Sequence, residues 1–170
     1  ATKIQYEQTE PWRDKWMTKE MKGAQRATTC QDITWNVCLE AELLDLMDGE
    51  GYEIFLDRMK FFDLVERELT FNLEEEMGLC PNVTRFSKKM YQGMKRYLLL
   101  GKSAGPMFEC QNGLLQGEVG SVMRANLLML IWVKRQADKL PQAIINTFFD
   151  DSSVCVRSLE EAKISIRESE

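Results

Sequence analysis

The chain has 170 residues, 44% of them hydrophobic and 29% charged, with a formal net charge of −5 and no histidine. That length is enough for one ordinary domain with a buried core. The missing imidazole excludes Ser-His-Asp and Cys-His catalysis, mixed cysteine–histidine zinc sites and imidazole pH switches, so any chemistry falls to carboxylates, lysines, cysteines and backbone groups.

In chain order, Thr9-Glu10-Pro11 predicts a helical run through Met21, with proline in its first turn. A second helix is expected from near Asp32, with apolar residues at Ile33, Val37, Leu43, Leu44 and Met47, ending at the turn cluster Asp48-Gly49-Glu50-Gly51. Tyr52 to Asp57 reads as a short strand ending in an acid. Phe62, Val65, Leu69 and Leu73 recur at helical spacing before Gly78, and Pro81 opens a basic helix expected to run to about Gly101.

Pro106 to Gln111 is a candidate strand, and Asn112-Gly113 is a turn signal. Val119 to Arg135 is apolar and of helix length, and its run Leu127 to Val133 falls far short of the ~20 residues a membrane span needs. This run and the 10 methionines are assigned to the core. Ala143 to Phe149 and Ser152 to Arg157 read as a hairpin closing at Asp150-Asp151, and Leu159 to Ile166 begins a last helix. The pattern is α/β or α+β in one domain.

Cys30, Cys38, Cys80, Cys110 and Cys155 are odd in number and form no C-x-x-C pair, so they are expected to be reduced and to act as small apolar residues. Asn82-Val83-Thr84 is a sequon by pattern, but no signal-peptide pattern opens the chain, and the expectation is a reducing, intracellular compartment. Gly101-Lys102-Ser103 is not a phosphate-binding loop, because Arg96 stands where that motif needs its first glycine.

The net charge hides a split: residues 1–80 hold 9 basic and 18 acidic side chains, and residues 81–170 hold 13 basic and 9 acidic. Pro81 to Lys102 carries Arg85, Lys88, Lys89, Lys95, Arg96 and Lys102 with no acid, interleaved with Phe86, Tyr91 and Tyr97. Such a stretch is either a phosphate-facing surface or the solvated face of an amphipathic helix.

Three ordered boxes carry a family resemblance. Asp57-Arg58-Met59-Lys60-Phe61-Phe62-Asp63 resembles the D-x-x-K-A-F-D segment of reverse transcriptases of the non-long-terminal-repeat retrotransposon and group II intron type. Gly113-Leu114-Leu115-Gln116-Gly117, with Ser121 and Asn126 downstream, resembles the family's G-x-x-Q-G-x-P-x-S segment, and Phe148-Phe149-Asp150-Asp151 resembles its aromatic-x-D-D box. Arg26-Ala27-Thr28-Thr29 with Asp32-Ile33 looks like the fingers segment upstream. In three places the chain differs: Phe61 stands where the family has a small residue, Val119 replaces its proline, and Glu118 adds an acid on a polyanion's path.

The resemblance implies an α+β fold, with a polymerase-palm-like antiparallel sheet flanked by helices and a helix-rich N-terminal part. Residues 1–51 would be a helical fingers-like segment and 52–170 a palm-like domain, forming one compact unit overall. It further implies RNA-templated nucleotidyl transfer with two Mg2+ ions, for which strand-end aspartates are suitable hard-oxygen ligands.

By motif position, Asp57, Asp150 and Asp151 would be catalytic, with Asp57 and Asp150 holding metal. Phe62 would crowd a ribose 2′-hydroxyl, Gln116-Gly117 would lie against template and incoming nucleotide, and Arg85, Lys88, Lys89, Lys95 and Arg96 are candidate phosphate contacts. The implied partners are an RNA template, a DNA primer and a deoxynucleotide. The family's thumb has no counterpart among these 170 residues, so the expectation is a part of a larger enzyme. The alternative is a non-catalytic domain of this kind, holding protein partners in a larger assembly.

Overall fold

The structure, a computed structural model, describes residue 7, residues 9–25 and residues 27–169. Helices α1 (Glu10–Arg13) and α2 (Cys30–Leu46) precede strand β1 (Tyr52–Leu56). Helices α3 (Phe61–Leu64), α4 (Arg67–Glu76) and α5 (Pro81–Gln92) follow, then the strands β2 (Arg96–Leu100) and β3 (Ser103–Phe108). Helix α6 (Val119–Lys139), strands β4 (Ile144–Phe148) and β5 (Asp151–Val156) and helix α7 (Leu159–Arg167) complete the described chain. The α+β expectation is borne out. Two compact units each draw on two stretches of sequence: residues 1–14 with 60–121, and residues 15–59 with 122–170.

In the unit formed by 15–59 and 122–170, β5 is the central strand of an antiparallel sheet in the order β1-β5-β4. Ser152 to Val156 are all buried, as expected of a strand paired on both edges and covered on its faces. Helix α7 packs on β1 and β5, and α2 touches β4. Helix α6 supplies the apolar core through Met123, Ala125, Leu127, Met129, Leu130 and Val133, as its composition predicts. Ser158 caps α7 by accepting from the Glu161 N–H at 3.2 Å, and Asp32 caps α2 by accepting from the Thr29 N–H at 2.5 Å.

The helix expected through Met21 is a single turn. Its continuation pairs with β4 instead: the Lys22 N–H donates to the Thr147 carbonyl at 2.8 Å and the Thr147 N–H to Glu20 at 2.9 Å. Backbone groups satisfied by a sheet edge have no need of a helix. Met21 is fully buried there. The methionines as a group are not all core, since Met47 and Met59 are 78% and 77% exposed.

In the unit formed by 1–14 and 60–121, the helical pattern from Phe62 is interrupted. The Phe62 and Val65 carbonyls accept from the Leu114 and Gly113 N–H groups at 2.6 and 2.8 Å, and the helix restarts as α4. The restart turns Arg67, Thr70, Phe71 and Glu74 inward and leaves Leu69, an expected core position, 46% exposed. Gly113 must be glycine: its φ is +89°, and a Cβ there would sit 2.8 Å from the Asp63 carbonyl oxygen.

The basic helix also ends early, at Gln92. A two-residue turn at Gly101-Lys102 folds Arg96–Leu100 back on Ser103–Phe108, so the candidate strand at Pro106 is the end of β3. Leu98, Leu99 and Leu100 on this hairpin are 73%, 75% and 86% exposed. All five cysteines are free, but only Cys155 is buried, and Cys30, Cys38 and Cys80 are exposed rather than acting as core residues. Burial, then the Glu53 carboxylate beside it, pushes the Cys155 thiol up to about 11.

Arg67 ties this unit's loop to its helices. It donates to the carbonyls of Gly113, Cys110 and Asn112 at 2.7, 2.6 and 2.6 Å, and stacks 4.9 Å from the Tyr91 ring centroid. Arg67→Met strands three acceptors, and we expect a loss of about 3 kcal/mol in urea unfolding. A loss below about 1 kcal/mol would show that water replaces the guanidinium.

Candidate functional site

Strand pairing carries Asp57 to the Asp-Asp turn. Leu56 faces Ser152 across the β1–β5 ladder, so the next residue, Asp57, stands opposite Asp151 at the end of the sheet. On the other side of β5, Phe148 pairs with Asp151, which leaves Phe149-Asp150 as a two-residue turn. Asp57 and Asp151 are exposed and Asp150 is half-buried. Three acids from two distant stretches of sequence thus share one end of one sheet.

The turn is held from two directions. Phe149 has φ +60°, a conformation that favours glycine in a tight hairpin. Its ring packs on Gly23, where a Cβ would come within 2.7 Å of it. Gly23 is fixed in turn by the Asn126 side chain, whose Nδ2 donates to its carbonyl at 2.8 Å. From the β1 side, Arg58 Nη1 donates to the Asp150 carbonyl and to Ser152 Oγ, both at 2.9 Å, and its guanidinium lies 4.8 Å from the Trp132 ring centroid. Sequence reasoning passed over Arg58, Trp132, Phe149 and Gly23. The sequence placed the turn at Asp150-Asp151, one residue late, and so gave no sign that Phe149 takes a positive φ.

The carboxyls feel one another. Asp151 is held above the ordinary carboxylate value of 3.8, first by desolvation, then by the charges of Asp150 and Asp57. Burial lowers the Arg58 pKa, and the Asp150 charge opposes that shift. The donor chemistry suits a hard divalent ion, and mutual repulsion is what such an ion relieves. As placed, however, no three His, Cys, Asp or Glu side chains among the described residues form a metal-holding group. A hollow of about 170 Å³ between the start of α2 and the sheet is lined by Ile33, Phe55, Phe148 and Asp151 among others. It is smaller than the ~300–1,000 Å³ of small-molecule pockets.

The other candidate residues belong to the unit formed by 1–14 and 60–121. Phe62 is half-buried in α3, edge-on to Phe61 with ring centroids 5.6 Å apart. Gln116 and Gly117 lie exposed in the loop before α6. Glu118, read as an extra acid on a polyanion's path, accepts from the Gly120 N–H and Ser121 Oγ at 2.9 Å each and so caps α6. Of the basic set, Lys88 is paired with Glu75 at 2.9 Å, Arg85 donates to Asn82, Lys89 is exposed on α5, Lys95 is exposed before β2, and Arg96 begins β2 half-buried. Arg26 of the fingers-like segment lies outside the described residues.

No protein-family model and no curated protein sequence matches the chain. Solved structures do. Apo telomerase from Candida tropicalis, truncated from its C-terminal domain, matches with a TM-score of 0.72 at 11% identity, over 98% of this chain and 36% of that one. Telomerase from Candida albicans, in complex with a TWJ fragment of telomeric RNA, matches with a TM-score of 0.63 at 9% identity, over 97% and 29%. The fold is similar to that of these telomerase structures. The chain spans about a third of the length of these neighbours. Among the described residues, no helix is long and apolar enough to cross a membrane.

Because Asp151 binds its proton more tightly folded than unfolded, its contribution to stability grows as pH falls through the raised value toward 3.8 and is lost as pH rises. Asp151→Asn should therefore raise the urea midpoint at neutral pH, and the variant's advantage should shrink on acidification. Equal midpoints at neutral pH would contradict this account.

Proposed function

We propose that this chain is the reverse-transcriptase-like part of a larger polymerase of the non-long-terminal-repeat retrotransposon or group II intron type, and that it works in RNA-templated nucleotidyl transfer. The observation that carries this reading is the register of β1 on β5, which sets Asp57 opposite Asp151. Asp57 and Asp150 are the residues to hold two Mg2+ ions, with Asp151 beside them. The ions, when bound, supply charge stabilisation at the attacking and leaving oxygens of an in-line displacement.

The chain's own residues do the rest. Phe149 and Arg58 orient the acid-bearing turn, Phe62 limits space at the sugar, and Gln116-Gly117 face the template and incoming nucleotide. Arg85, Lys88, Lys89, Lys95 and Arg96 meet the phosphates of an RNA template and DNA primer. In this reading residues 1–51 serve as the fingers-like part and 52–170 as the palm-like part, in a reducing, intracellular setting.

Primer extension on a primed RNA with Mg2+ tests it. Templated incorporation should be measurable and should fall to the no-protein background in Asp150→Ala; equal incorporation by both proteins would place catalysis elsewhere.

A second reading is a non-catalytic domain of the same fold, serving as a structural or interaction subunit. Two observations favour it: the acids do not gather three donors, and a guanidinium stands among them. The net charge of −5 points the same way, since phosphate neutralisation supplies most non-specific nucleic-acid affinity. Under this reading, affinity for a primer–template is weak and nearly flat with salt. A steep fall in affinity with rising salt would reject it.

A further inference from the structure

We propose that Arg58 is the resident cation of the acid-bearing sheet end: it stabilises the Asp57, Asp150 and Asp151 cluster without a bound metal and opposes the entry of one. Its two hydrogen bonds go to the Asp150 carbonyl and Ser152 Oγ, each at 2.9 Å, and these acceptors bracket Asp151 in the chain. Ser152 is buried, so that anchor is fixed. The Trp132 face, 4.8 Å away, fixes the plane of the guanidinium.

Both bonded acceptors are neutral. The positive charge therefore acts on the Asp150 carboxylate through space, and through it on the acids that Asp150 repels. Lysine could supply that charge but not the planar stacking surface or the fixed fork. A cation held this way does part of what a divalent ion does, screening like charges that otherwise repel. It does so permanently, whereas an incoming ion must work against it.

The inference rests on the placement of the acids in the reverse-transcriptase-like reading, and not on turnover. Failure of primer extension therefore leaves it standing, and its own failure leaves primer extension undecided. The test uses the 170-residue chain with Arg58→Gln, which keeps a donor and removes the charge, and Arg58→Lys, which keeps the charge. Unfolding is followed in urea with EDTA or with Mg2+, and Mn2+ affinity is titrated directly.

The wild type should show little change in midpoint with Mg2+. Arg58→Gln should lose stability in EDTA, recover it with Mg2+, and bind Mn2+ about tenfold more tightly than the wild type. Arg58→Lys should keep the wild-type Mn2+ affinity. In an Asp151→Asn background the effect of Arg58→Gln should shrink, because there is less charge to offset.

Unchanged Mn2+ affinity in Arg58→Gln, or a loss of stability that Mg2+ does not restore, would overturn the proposal and reduce Arg58 to a structural staple. Failure of Arg58→Gln to fold even with Mg2+ counts as the second of these outcomes. Arg58→Lys binding Mn2+ as tightly as Arg58→Gln would overturn it independently.

Discussion

The pairing of β1 with β5, in the register that sets Leu56 against Ser152, is the constraint on which the candidate site depends. Side chains alternate across a strand, so a slip of one residue would turn every inward group outward and move Asp57 away from Asp151. The register is held because β5 is buried from Ser152 to Val156 and paired on both edges. A central strand with no free edge and no exposed face has one position that satisfies its backbone and its apolar residues together. The acids inherit that precision without contributing to it.

In a chain without histidine, arginine ties irregular backbone to the regular elements in both units. Arg67 gathers three loop carbonyls and stacks on Tyr91; Arg58 takes one carbonyl and one hydroxyl at the acid turn and stacks on Trp132. In each case a planar donor fork and an aromatic face fix a segment that makes few ladder bonds of its own. The same device serves two purposes. At Arg67 it closes a loop over a helix, while at Arg58 it also places a positive charge beside carboxylates. Desolvation, then the like charges of Asp150 and Asp57, raises the proton affinity of Asp151, and the residue types there suit a hard ion.

Much of the fold was legible because local rules and tertiary demands agreed. The capped helix from Thr29, the strand ending before Asp57, the long apolar helix from Val119 and the hairpin around Asp150 lie close to where pattern and turn chemistry put them. Where they disagreed, distant backbone decided. Residues after Arg13 give up a helix to pair with β4, and the helix at Phe62 breaks because Gly113 and Leu114 reach its carbonyls. At Gly101 the chain makes a hairpin where a helix was expected, with three leucines left exposed. The reading of Glu118 as a stray acid missed that it caps the following helix.

By itself the sequence determined the α+β class, the order of the boxes and the kind of chemistry open to a chain whose functional groups are carboxylates and basic side chains. Those follow from composition and from periodicities of two and 3.6 residues, which are properties of neighbouring residues. Only the tertiary structure decided that Asp57 stands opposite Asp151, that Phe149 takes a left-handed turn against Gly23, and that Arg58 lies among the acids on Trp132. Each of these joins residues far apart in the chain. Their placement depends on which backbone groups find partners once the sheet has formed, and a linear pattern does not record that choice.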